Sequence, residues 1–142
     1  MTNSKDIKDI KDKLSWDKIR QLHEAVSNFS KQSFDIKKLW ITVEVSAITL
    51  MLTLKMNDVR FIICVSTSIL VFFFLLDSMT YYYQDKLRQL MANEQNAIRE
   101  RSGLKKEKVP RTKYRIIRSL INWSHLLYYG VGAILFACYK LC

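Results

Sequence analysis

Charge is distributed along this chain so unevenly that its distribution dictates what the chain can fold into. Leu39–Leu54, LWITVEVSAITLMLTL, carries a single charge at Glu44, and Phe61–Leu76, FIICVSTSILVFFFLL, carries none. In Leu120–Tyr139, LINWSHLLYYGVGAILFACY, His125 is the only imidazole and no Lys, Arg, Asp or Glu occurs. Most of the charge falls in two blocks, 1–38 and 84–119. The mean hydropathy of -0.04 resembles that of a soluble protein only because it averages over this segregation. With 142 residues the chain has room for one domain, or for one membrane module with a small appendage. Three glycines and one proline argue against an all-β fold, which needs many turns.

The stretches predict an all-α integral membrane protein. At about 1.5 Å per residue, each 16-residue core spans about 24 Å, slightly less than a bilayer's hydrocarbon layer. Their flanks make up the difference. Trp40, Tyr81, Tyr82 and Tyr83 fall where interfacial aromatics belong, and Lys37, Lys38, Lys55 and Arg60 can snorkel. A soluble bundle is the rival, but FIICVSTSILVFFFLL has no polar face to show water. The short connection Lys55–Arg60, with Asn57-Asp58 as turn residues, folds 39–54 and 61–76 into an antiparallel hairpin within 39–83. The 120–139 stretch is read as a third transmembrane helix, with a re-entrant or interfacial segment as the variant because Asn122, Ser124 and His125 soften its start.

Lysine and arginine set the orientation. Residues 1–38 carry nine, 84–119 carry eleven, the turn two and the C-terminal end one. Positive-inside reasoning places both rich blocks in the cytoplasm of a multi-pass protein. No secretory signal peptide is expected, since the first apolar run starts late and lacks a small-residue cleavage site. Residues 1–38 form a charged, amphipathic helical segment in which, from Leu14 on, Ile19, Leu22, Val26 and Phe29 make a stripe for another cytoplasmic helix, with the bilayer surface as the alternative. Ser15 is a candidate cap for it, and Ser33 or Asp35 for the helix entering the first crossing. The second crossing continues as a stalk over 84–103, stopping at Gly103, which gives a helix of about 43 residues and about 64 Å. A basic linker follows over 104–119.

Catalysis finds no support. Cys64, Cys138 and Cys142 lack metal-ligand or CxxC spacing, and no nucleophile–base grouping or Gly-rich phosphate loop is present. No metal, cofactor or enzymatic activity is expected, and His23 reads as a helix-surface histidine.

Function is left to a few polar residues. A carboxylate within a span is expensive, so Glu44 should face protein, water or a cation. Lys37, Trp40, Glu44, Met51 and Lys55 share one face of the first helix, and Thr42, Ser46, Thr49 and Thr53 the opposite one. One face would line a pore and the other join helices, and the sequence leaves both assignments open. Glu44 has two other readings: pairing with His125 or a hydroxyl, or a place near the headgroups. Asp77 shares a face with Ser66, Leu70, Phe73, Thr80 and Gln84 at the cytoplasmic end of the second crossing. It reads as a gating contact or as a carboxylate bonded to a lysine. Glu44, Asp77, Ser66 and Phe73 are the candidate pathway residues. The basic block holds Lys105, Lys106, Lys108, Arg111, Lys113, Tyr114, Arg115 and Arg118 against Glu107 alone. It suits membrane lipid headgroups, a nucleotide or oligonucleotide stacked on Tyr114, or topology alone.

The run Asp77-Ser-Met-Thr-Tyr-Tyr-Tyr-Gln-Asp-Lys-Leu-Arg resembles the end of the second crossing in the SLATT family, with Asp77, Tyr81, Tyr82, Asp85, Leu87 and Arg88 in the matching places. Asp85 stands where Glu is more usual, and Leu87 where Phe is. The resemblance covers about residues 15–102 and leaves the third stretch outside. It implies an oligomeric pore-forming effector of a bacterial antiviral defence system, in the inner membrane. Such an effector is triggered by a cytoplasmic sensor or signal-synthesising partner, or by a nucleotide-derived signal. Three such crossings cannot enclose a pore in one copy, so a homo-oligomer is required, with a tetramer as the starting expectation. The alternative is a non-conducting anchor for a cytoplasmic partner.

Overall fold

The computed structural model describes residues 4–56, 58–109 and 115–141. Among them every regular element is helical. Helix α1 spans Ser4–Thr53 and α2 spans Val59–Arg101, and the two form an antiparallel hairpin along their length. A short α3, Arg115–Leu120, and a 3-10 turn, Trp123–His125, lead into α4, Leu126–Leu141, which packs on α2.

Local chemistry explains both ends of α2. Asp58 sits in extended backbone and its carboxylate accepts from the amides of Arg60 and Phe61, satisfying two otherwise orphaned donors. At the far end Gly103, at φ 71, lets its own N–H reach Glu100 O at 3.1 Å and that of Leu104 reach Arg99 O at 2.8 Å. This paired closure needs the left-handed backbone that glycine adopts freely. Helix α1 ends in the same arrangement, with Lys55 N bonded to Leu52 O and Met56 N to Met51 O, but there the residue at φ 55 is Lys55.

In the charged half of the hairpin α1 packs along the stalk part of α2, but without the breaks expected in it. Helix α1 is one unbroken helix of 50 residues, about 75 Å, so Ser15, Ser33 and Asp35 cap nothing. Their neighbours on α2 explain why. Ser15 accepts from Arg101 Nη2 at 2.8 Å and Ser33 donates to Asp77 at 2.5 Å, so these two hydroxyls are engaged across the seam. Asp12–Arg101 at 2.6 Å, Lys18–Glu94, and Gln84 bonded to Val26 O at 3.3 Å hold the two helices in register. Ile19 and Val26 are buried and Phe29 stacks on Tyr83 at 6.0 Å, as the amphipathic stripe requires. The chain after Gly103 then folds back on α2. The Asn96 amide exchanges two 2.9 Å bonds with the backbone of Glu107, while Arg99 pairs with Glu107 and Lys106 with Glu100.

The apolar half is covered only in part. Trp40, Leu70, Phe73 and Tyr128 form its buried core, with Ile36, Val43, Ile69, Phe74, Val131 and Leu135 packed against it. Among the described residues one helix, Val59–Arg101, is long and apolar enough to cross a membrane by length and composition. Only 17% of its apolar window is buried, so protein covers little of that surface. The third stretch is not one helix over 120–139. Asn122 takes extended backbone and its side chain accepts from Ser124 N, so the chain restarts there and α4 begins at Leu126. Its 16 residues span about 24 Å.

Candidate functional site

Asp77 lies where the apolar half of α2 gives way to the charged half, and it is completely buried. Every element around it contributes a polar group. From α1, Ser33 Oγ donates to Asp77 Oδ1 at 2.5 Å and Lys37 Nζ lies 2.6 Å from Oδ2. From one turn further along α2, the Thr80 hydroxyl donates to the Asp77 carbonyl at 2.7 Å and lies 3.4 Å from Oδ1. From the 3-10 turn, His125 Nε2 approaches Oδ2 at 3.5 Å. Lys37 also donates to Ser33 Oγ at 2.9 Å and Ser124 Oγ at 3.0 Å. Lys37 thus donates to two hydroxyls and faces the Asp77 carboxylate as an ion pair, the kind of surrounding in which a buried ammonium is tolerated. His125 Nδ1 is 3.0 Å from the Leu120 carbonyl, which only accepts, so that nitrogen carries a proton and the ring is fixed.

Aromatic rings seal the cluster. Lys37 Nζ sits 5.7 Å from the Tyr81 ring centre and 6.0 Å from that of Tyr128. Phe74 and Tyr81 meet the His125 ring edge-on at 5.0 and 5.2 Å, and Trp40 packs on Tyr128 at 4.8 Å. The assembly presents no nucleophile activated by a base. Its chemistry is that of a latch: one carboxylate ties α1, α2 and the entry to α4 together. Losing one member leaves the others charged and dry, so the latch is made or broken as a unit. Among the described residues no three His, Cys, Asp or Glu side chains converge to hold a metal.

One turn beyond Trp40, the Glu44 Oε2 is buried in the hairpin without a hydrogen-bond partner among the described residues. Trp40 Nε1 and Tyr128 Oη are buried without partners too. His125, a partner foreseen for Glu44, belongs to Asp77 instead. The face bearing Lys37, Trp40, Glu44 and Met51 thus lies inward, and the face bearing Thr42, Ser46, Thr49 and Thr53 is exposed. Thr42, Thr49 and Thr53 bond carbonyls of their own helix. On α2, Ser66, Leu70, Phe73, Asp77, Thr80 and Gln84 are all buried, as their shared face requires.

The basic block divides into two places. Lys105, Lys106 and Lys108 ride on the segment clamped by Asn96, and Lys106 is paired with Glu100. Arg115 and Arg118 line a cavity of about 320 Å³ together with Tyr81, Gln84, Asp85, Arg88, Asn122 and Trp123. Arg115 bonds Gln89, lies 3.5 Å from Asp85 and rests over the Tyr82 ring at 5.8 Å. Arg111, Lys113 and Tyr114 fall outside the described residues.

Sequence alone assigns Ser33 only a capping role and Ser124 only a place at a softened helix start, and it does not bring either to Asp77 and Lys37. Their signal is pairwise: Asp77 and His125 are isolated polar residues at the edges of separate apolar stretches, and Lys37 stands on the same helix face as Trp40. No family model, curated protein or solved structure matches this chain.

Proposed function

We propose that the protein is an oligomeric membrane pore, an ion-channel effector opened from the cytoplasmic side by a partner protein or an anionic nucleotide or oligonucleotide. In this reading α1, α2 and α4 each cross the bacterial inner membrane, with the charged half of the hairpin in the cytoplasm. The resemblance of the Asp77–Arg88 run to SLATT effectors adds the biological setting: antiviral defence in which opening depolarises the cell or arrests its growth.

The observation that carries the reading is the orphaned Glu44 carboxylate. In an apolar span a carboxylate needs a partner or water, and within one chain its Oε2 finds none. Assembly of several copies, with water reaching Glu44, supplies both. A ring of such carboxylates favours cations. The Asp77 latch beside it joins the crossings to the cytoplasmic hairpin, so a ligand or partner that shifts the charged half acts on the spans through Lys37 and Asp77.

Purified protein in liposomes should release trapped potassium, and Glu44→Gln should slow that release without reducing insertion. Liposomes that stay tight under every added nucleotide and partner would favour the second reading, a membrane anchor. That reading draws on Ile10, Leu14 and Trp16, which are exposed in the charged half of α1 and suit a docked partner.

A further inference from the structure

The arginine-lined cavity has an apolar neighbour. Leu75, Ser78, Met79, Tyr82, Tyr83, Ile116, Ser119 and Leu120 enclose a groove of about 380 Å³ along the other flank of α3. Ser119 lines both spaces, and Tyr82 lines the groove while its ring carries the Arg115 guanidinium. The first space holds Arg88, Arg115 and Arg118 against Asp85 alone. Asp85 lies near Arg115, whereas Arg88 and Arg118 are exposed and make no ion pair among the described residues. Two guanidinium groups are thus left facing a cavity of ligand size, in the geometry that suits a phosphate. Around them Ile116, Ile117, Ile121 and Trp123 stand exposed, Trp123 at 88%. An exposed tryptophan among isoleucines, beside arginines, marks the depth of lipid headgroups.

We infer that these two spaces form one binding site for an anionic phospholipid, with its phosphate on Arg88 and Arg118 and an acyl chain in the Leu75–Met79–Ile116 groove. Charge complementarity and the shared wall at Ser119 select this occupant. A soluble phosphate compound would use the arginines and leave the groove empty, and a zwitterionic lipid would lack the net charge the cavity asks for. The site touches the Asp77 latch: Tyr81 lines the cavity and packs on His125, and Asn122 lines it while holding the turn that presents Ser124. Lipid bound here braces the entry to α4. The inference rests on the membrane placement proposed above and not on conduction, so currents can persist where binding fails, and the reverse.

Native mass spectrometry of the detergent-purified full chain tests it, with dioleoyl phosphatidylglycerol, dioleoyl phosphatidylcholine and glycerol 3-phosphate as probes. Phosphatidylglycerol should bind at one molecule per chain and phosphatidylcholine about tenfold more weakly or worse. The double variant Arg88→Gln/Arg118→Gln should lose that preference, and Arg88→Lys/Arg118→Lys should keep most of it. Both changes fall on exposed, unpaired side chains, so folding is spared and circular dichroism should match the parent. Met79→Trp, which fills the groove, should weaken lipid binding while leaving any glycerol 3-phosphate binding alone. Equal binding of the two lipids, or full preference in the Gln variant, overturns the site. Displacement of phosphatidylglycerol by an equal concentration of glycerol 3-phosphate would make it a soluble-anion site and overturn the lipid assignment.

Discussion

Lys37 and Asp77 show how much two residues can decide in a hairpin of this length. Asp77 is sealed on every side and its partners come from three elements, so Asp77→Asn strands the Lys37 ammonium among aromatic rings. Breaking a buried pair on one side costs about 3–5 kcal/mol. The variant should lose thermal stability strongly in detergent, read as a fall in the unfolding midpoint by circular dichroism. Replacing both partners, Lys37→Met with Asp77→Leu, removes the two charges together and should recover most of the loss. A double variant no more stable than Asp77→Asn would show that the pair does not act as one unit. Glu44 is the converse case, a carboxylate with no partner to lose. Glu44→Gln should leave stability unchanged or slightly raised while altering ion passage.

At the scale of elements, the helix ends carry their own tests. Both long helices close through a left-handed residue, but α2 uses Gly103 and α1 uses Lys55. A side chain in that conformation costs about 1 kcal/mol or more. Lys55→Gly should therefore stabilise the hairpin by about that amount, and Gly103→Ala should destabilise it similarly even though a Cβ there meets no neighbour within 4 Å. Thermal midpoints of the two variants check the opposite signs. These ends were legible in the sequence because their signals are local: Asp58 just before an apolar run, and Gly103 just after a periodic one. The inward face of α2 was legible too, since helical period alone groups Ser66, Leu70, Phe73, Asp77, Thr80 and Gln84. The breaks expected in α1 were not there, because Ser15 and Ser33 have partners 86 and 44 residues away that no local pattern reveals. The late start of α4 was legible only as a softened beginning at Asn122, Ser124 and His125, not as a break. Asn122 interrupts an apolar run that composition reads as continuous.

The whole molecule is two machines joined at Asp77: a charged two-helix hairpin and an apolar three-helix group whose outer faces are left open. Leu50, Leu52, Phe72, Ile134 and Phe136 are all more than half exposed in one copy. In the proposed pore, self-association in a bilayer would cover part of this surface, and the protein should then purify from membranes as an oligomer of fixed size. Cross-linking through the exposed Cys64 and Cys138 reads which faces meet. Under the proposed function the latch couples the two halves, so Asp77→Asn should uncouple ligand or partner binding from any change in ion passage. The sequence made the division between halves plain through charge alone. It offered a lysine as one partner for Asp77 but not which one, nor His125: Lys37, Asp77 and His125 belong to three separate segments and become a site only when the hairpin closes. We propose that Glu44 stands on an ion path formed by several copies. Its most direct test is the reversal potential of single-channel currents in a planar bilayer across a potassium chloride gradient, for the native chain and for Glu44→Gln. The account predicts discrete, cation-selective currents whose reversal potential moves toward zero in the variant. Currents with the same selectivity in both proteins, or a correctly inserted oligomer that passes none, would contradict it.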